Sequence, residues 1–247
     1  MDTRWKVFLI LLFAAFVIIA YALTPWTLRV GDVELRKISI PHEDSARTDT
    51  IAKPVQKHTE VDTAAQRILF FGDSMLEGLQ RRFADYAVEN GHELDVVLWY
   101  SSSTQLWAQT DTLSHFLHRY SPSFVVICLG SNELFVRDLP NRDRYIGTIL
   151  KCIGDIPYVW ISPPNWKDDT GINDLIIKHV GRERYFDSRH LELQRGRDHA
   201  HPTFAAAEVW MDSVAVWMNS LRTAHPIRMA KPNVKGKATN ITLLQPL

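Results

Sequence analysis

Two cysteines in 247 residues are too few for a disulfide framework, so packing and hydrogen bonds must hold the fold. Cys128 sits in the apolar run Phe124-Val125-Val126-Ile127-Cys128-Leu129, where a small buried thiol is the expected role. A chance pairing with Cys152 stays open at this level. Net charge is missing too. The 28 Lys and Arg residues balance 28 Asp and Glu, which removes the basic excess that a nucleic-acid partner requires. No cluster of His, Cys and carboxylates has metal-ligand spacing, so neither a metal nor another cofactor is expected.

What is present begins at the N-terminus. Arg4 and Lys6 precede an unbroken apolar run, Val7 to Leu23, closed by Thr24-Pro25-Trp26. Its length is near the roughly 20 residues that span a bilayer. Basic residues before it and Trp26 after it orient the body of the protein outside the cytoplasm. Ala20-Tyr21-Ala22 resembles a processing site, so residues 1–26 read as either a membrane anchor or a signal peptide. Run length favours the anchor. The expected location is the periplasm or the outer face of the cytoplasmic membrane, or a secreted form if the segment is cleaved.

Residues 27–64 read as a stalk. Leu28 and Val30 precede Gly31-Asp32, with Val33 and Leu35 after it, which suits a short hairpin. Pro41 to Ala64 is polar and aperiodic, as in a linker. Residues 224–247 hold three prolines and several lysines without an amphipathic pattern, and read as an extended tail.

Between these flanks, over residues 65–223, strands and helices alternate. Apolar strands are expected at Arg67–Phe71, Leu94–Tyr100, Ser123–Leu129, Tyr158–Ser162 and Tyr185–Phe186. Helices are expected after Ser74, over Thr110–Tyr120, Arg142–Ile153 and Ile172–Val180, and from about Thr203. Continuous apolar strands separated by helices predict an α/β fold with a five-stranded parallel sheet covered on both faces. Ligands in such sheets sit beyond the carboxyl ends of the strands. The residues found there are Gly72-Asp73-Ser74, Ser101-Ser102-Ser103-Thr104, Gly130-Ser131-Asn132-Glu133 and Pro163-Pro164-Asn165-Trp166. Asp198-His199-Ala200-His201-Pro202 precedes the last helix.

A serine hydroxyl attacks only when a base removes its proton and a third group holds that base in the right tautomer. Ser74, His201 and Asp198 can fill those roles, while the Ser74 N–H and the Asn132 amide can stabilise an oxyanion. No Gly-x-Ser-x-Gly elbow surrounds Ser74, which argues against an α/β-hydrolase. The three blocks Gly72-Asp73-Ser74, Gly130-Ser131-Asn132 and Asp198-His199-Ala200-His201, in that order, resemble those of the SGNH/GDSL hydrolase superfamily. That resemblance implies a flavodoxin-like three-layer α/β/α fold and a Ser-His-Asp esterase. It departs in two places. The family's second-block glycine falls near Ser102 or Ser103, which leaves the third oxyanion donor open, and Glu133 stands where the family often has Asp.

Other candidates have plainer readings. His199 is less well spaced from Asp198 than His201 is, and Asp187 reads as a loop residue. Asp73 reads as a brace for the nucleophile loop. Trp160 belongs to the core, whereas Trp166 either packs or lines a sugar or acyl pocket. The function expected is a carboxyl-ester hydrolase acting on O-acetyl groups of cell-envelope glycans. The alternatives are an O-acyltransferase, which in this superfamily can partner a membrane-bound acyltransferase, and a non-catalytic glycan-binding protein.

Overall fold

The computed structural model describes residues 5–6, 12–13, 29–30, 33–34 and 59–246. Most of the apolar run and the linker therefore lie outside the described residues. Among the described residues no helix is long and apolar enough to cross a membrane. In the N-terminal unit, strands β1 (Arg29–Val30) and β2 (Val33–Glu34) pair antiparallel, with Arg29 opposite Glu34 and Val30 opposite Val33. Only Gly31 and Asp32 separate them in the sequence, the spacing of a two-residue hairpin.

The second unit is built on one parallel sheet. Its strands are β3 (Arg67–Gly72), β4 (Glu93–Trp99), β5 (Phe124–Cys128), β6 (Tyr158–Ile161), β7 (Tyr185–Phe186) and β8 (Asn240–Leu244), in the order β7-β6-β5-β3-β4-β8. Side chains alternate across each strand. Ile68 and Phe70 of β3 face one core with helices α1 (Leu76–Asn90) and α6 (Phe204–Met218). Leu69 and Phe71 face the other, with α2 (Thr104–Gln109), α3 (Thr112–Tyr120), α4 (Leu139–Ile153) and α5 (Ile172–Val180). This is a three-layer α/β/α architecture. All four β3 side chains are fully buried, each such burial stabilising by roughly 1.5–3 kcal/mol. Cys128 is buried, Cys152 is exposed, and they are not joined.

Two expectations need correction. The sheet has six strands rather than five, because the supposed extended tail supplies β8, with Asp95 opposite Asn240 and Trp99 opposite Leu244. The tail reaches that edge through specific anchors. Asn90 bonds Ala230 in both directions, and Asp85 accepts from Lys235 Nζ and the Gly236 N–H. Asp62 likewise pairs with the tail, donating its N–H to Pro226 and accepting from the Arg228 N–H. The second correction is that Thr104–Gln109 forms its own helix ahead of Thr112–Tyr120.

His92 fastens both flanks. Its Nδ1 accepts from the Gln66 N–H at 3.0 Å, and Nε2 lies 2.7 Å from the Arg228 carbonyl. That pairing requires a neutral ring with the proton on Nε2. Burial holds the pKa below the ordinary 6.5. The unfolded chain therefore binds the proton more readily, and stability falls as pH drops below about 6.5. In thermal melts, His92→Gln should flatten the loss of Tm on acidification from about pH 7 to pH 5. A wild-type slope in the variant would refute this role.

Candidate active site

Strand order reverses at β3: the chain first crosses to β4, then returns past β3 to build β5. The carboxyl ends of β3 and β5 therefore flank the topological switch point, where such sheets bind ligands. Gly72 pairs with Cys128 in register, and the Asp73 N–H continues the ladder to the Cys128 carbonyl at 3.0 Å. Ser74 follows in the turn that opens α1. Asn132 lies in the 3-10 turn Ser131–Glu133 that follows β5.

Asp73 ties these two turns together. Fully buried, it accepts from the Met75 N–H at 3.0 Å through Oδ1 and from the Ser131 N–H at 3.1 Å through Oδ2. Burial pushes its pKa up to about 6, against the lowering effect of those hydrogen bonds. It bonds within the loops, as a brace does. Gly130, at φ 121°, makes the turn between β5 and Asn132 in a region that side-chain-bearing residues rarely enter.

The base comes from the far end of the sequence. Residues 194–203 fold back as a tight hairpin, with the Thr203 N–H bonded to Gln194 and the Gly196 N–H to His201, each at 2.8 Å. Asp198 Oδ1 caps the tip by accepting the Ala200 and His201 N–H groups, both at 3.0 Å. Its Oδ2 lies 2.6 Å from His201 Nδ1, and His201 Nε2 lies 2.8 Å from Ser74 Oγ. The His201 bond, followed by the two backbone N–H groups, holds the Asp198 carboxyl down to about 2, so it stays ionised across the neutral range. Thr203 then caps α6 by accepting from the Ala206 N–H. His199 takes the left-handed conformation at φ 60° inside the hairpin, so the residue passed over as base makes the turn.

Ser102 and Ser103 are now separable. The Ser102 N–H donates to the Trp99 carbonyl at 3.1 Å, and its Oγ accepts from Trp107 Nε1 at 2.9 Å. Its carbonyl accepts one of the two Asn132 amide protons at 2.8 Å. Its backbone N–H is committed to Trp99, so that group is withdrawn as an oxyanion donor. The Ser74 and Ser103 N–H groups donate to no acceptor among the described residues. The other Asn132 proton remains available, with the amide plane fixed by Ser102. The positive φ of this turn falls on Ser101, at 58°.

Glu133 explains how the second and third blocks hold together. It is buried, and accepts the Thr104 N–H at 2.8 Å and the Thr104 hydroxyl at 2.6 Å. Arg142 Nε lies 3.2 Å away, close enough to offset part of the burial that raises the Glu133 pKa. Asp187, the rival orienting acid, is engaged by Arg189 through Nε at 2.9 Å and Nη2 at 2.7 Å. Trp160 is fully buried and donates to the Leu129 carbonyl.

Trp166 is half-buried and meets Phe135 edge to face at 5.9 Å. It helps to line a cleft of about 570 Å³ with Asn165, Asp169, Asp174, Arg189 and His190. Neither Ser74 nor His201 lines that cleft, which lies among the loops after β6 and β7. No protein-family model matches the chain, and no curated protein matches it in sequence.

Proposed function

We propose that this chain is an SGNH/GDSL-type serine esterase that works outside the cytoplasm on O-acetyl groups of cell-envelope glycans. One observation carries the reading: the relay from Ser74 Oγ through His201 to Asp198, at 2.8 and 2.6 Å, in which the acid is itself locked by two backbone N–H groups.

In the proposed reaction His201 Nε2 takes the Ser74 proton as Oγ bonds to the ester carbonyl carbon. Asp198 stabilises the imidazolium without taking its proton. The N–H groups of Ser74 and Ser103 and the Asn132 amide receive the oxyanion. Collapse breaks the ester C–O bond, with His201 returning the proton to the leaving alcohol. Water then attacks the acyl-enzyme under the same base. Trp166 and its cleft would receive the alcohol portion, an aromatic face beside polar groups being suited to a sugar ring.

Hydrolysis is favoured over transfer to a sugar by solvent access. The side chains of His201 and Asp198 are 43% and 52% exposed, whereas a transferase must keep water from its acyl-enzyme. The deciding experiment is mass spectrometry of the protein mixed with acetylated glycans, with and without acceptor sugar. An acetyl adduct on Ser74 released to water is expected. Release to the acceptor would make the chain a transferase. No turnover, together with no fluorophosphonate label on Ser74, would leave the binding-protein reading in its place. Asn132→Ala should lower kcat by roughly 10²–10³-fold with KM little changed. A variant at wild-type kcat would remove Asn132 from the oxyanion site.

A further inference from the structure

The hairpin that carries Asp198 and His201 is internally tight, but its internal bonds do not place it relative to Ser74. The Thr203–Gln194 and Gly196–His201 bonds and the Asp198 cap all lie within residues 194–203. They do not by themselves stop the hairpin from moving off the domain, and a hairpin that does so exposes those same amides to exchange more often. The dyad at its tip is half exposed, so burial does little to hold it there.

Arg195 supplies the missing link. Its Nη1 donates to the Ala200 carbonyl at 2.6 Å, next to the base. Its Nη2 donates to the carbonyls of Pro164 and Asn165, at 3.0 and 3.1 Å, in the loop after β6. One planar guanidinium therefore clamps the tip of the hairpin to a loop on the sheet. Among the described residues none of its donors goes to a carboxylate. Asp198 is near enough to act through space, while burial pushes the guanidinium pKa down. A charge held without a direct counter-ion is a poor device for stability alone. A rigid fork that reaches three carbonyls at once is what only arginine offers, since a lysine ammonium cannot span them.

We infer that Arg195 is a positioning residue for the base: it fixes the Asp198–His201 hairpin against the Pro164–Asn165 loop, and so sets the distance from His201 Nε2 to Ser74 Oγ. The same bonds join the base to the wall of the Trp166 cleft, because Asn165 belongs to both. The inference rests on the esterase reading for its kinetic consequence, though not for its structural one.

The test compares Arg195→Ala and Arg195→Lys with wild type by kinetics on a chromogenic acetyl ester and by amide hydrogen exchange. In Arg195→Ala, kcat should fall roughly 10–100-fold, the penalty of a base misplaced by about an ångström, with KM within about twofold. Added guanidinium should restore part of that rate. Arg195→Lys, which keeps the charge and not the fork, should stay at least about tenfold below wild type. Exchange should rise in residues 196–203 of both variants and stay unchanged in β6 and α6. A wild-type kcat in either variant, or unchanged exchange over 196–203, overturns the inference. If wild type itself turns over no ester, the esterase reading fails by its own test, and the exchange comparison still decides whether Arg195 anchors the hairpin.

Discussion

Ser74→Ala should lose ester turnover by roughly 10⁴–10⁶-fold while keeping the wild-type melting temperature within about two degrees. Both halves follow from where the hydroxyl sits. Among the described residues Ser74 Oγ has one hydrogen-bond partner, His201 Nε2, and that side chain is 43% exposed. Removing the oxygen leaves an imidazole nitrogen that water can satisfy, so no buried polar group is orphaned, and surface changes of this kind stay within about ±0.5 kcal/mol. The turn keeps its backbone bonds from Leu76 N–H to the Asp73 carbonyl and from Glu77 N–H to the Ser74 carbonyl. The chemistry has no such reserve. His201 would have to activate water directly, and the acyl-enzyme could not form. Fluorophosphonate labelling should vanish in parallel. An alanine variant that still hydrolyses acetyl esters within tenfold of wild type would show that Ser74 is not the nucleophile.

The sequence announces some parts of this arrangement more clearly than others, for physical reasons. Strands β3, β5 and β6 are buried on both faces, so they read as unbroken apolar runs. Strand β8 gives no such signal. Ile241 and Leu243 are exposed at a sheet edge, and only Thr242 and Leu244 are half-buried. Its partner β4 lies about 145 residues earlier, and no local pattern encodes a pairing that distant. Helix α2 was hidden because its buried face amounts to Thr104 and Trp107. Trp107 packs on Phe71 of β3 and Trp99 of β4, contacts that no helical period within residues 104–109 encodes.

The site divides the same way. Ser74, Asn132, Asp198 and His201 stand out because each must be of one chemical type at a strand end or before a helix. The residues that aim them are anonymous in sequence. Arg195 is one arginine among many, and its partners are backbone carbonyls, which any residue supplies. Thr104 and Glu133 are likewise ordinary until the fold brings a buried carboxylate against the first turn of a helix. The left-handed conformation in the turn after β4 is carried by Ser101, a residue type that gives no hint of it. Chemistry is legible in residue types, whereas support is legible only in three dimensions.

Gly72→Ala should be the most damaging single methyl in the described domain, for the fold and the site together. A Cβ on residue 72 would lie 1.9 Å from the Cys128 carbonyl oxygen and 2.7 Å from its carbon. Those are backbone atoms of the neighbouring strand, with no flexible side chain to turn aside. Strands β3 and β5 must separate at their carboxyl ends, where Gly72 and Cys128 are in register and the Asp73 N–H bonds the same carbonyl. Overpacking against a rigid partner should cost at least ~3 kcal/mol, or about 6–12 °C in Tm for a domain of this size. The contrast with Ser74→Ala is the useful part. Separation of β3 from β5 also pulls Asp73 away from Ser131, and with it the Ser74 turn from the Asn132 turn. Activity should therefore fall by at least about 10²-fold even at temperatures where the variant remains folded. Cysteine accessibility supplies the independent measurement. Cys128, buried in wild type, should react with a thiol reagent in the folded variant once its strand is displaced. A Gly72→Ala protein with wild-type Tm, activity and thiol protection would mean that the Cys128 carbonyl does not stand in the path of a Cβ at residue 72.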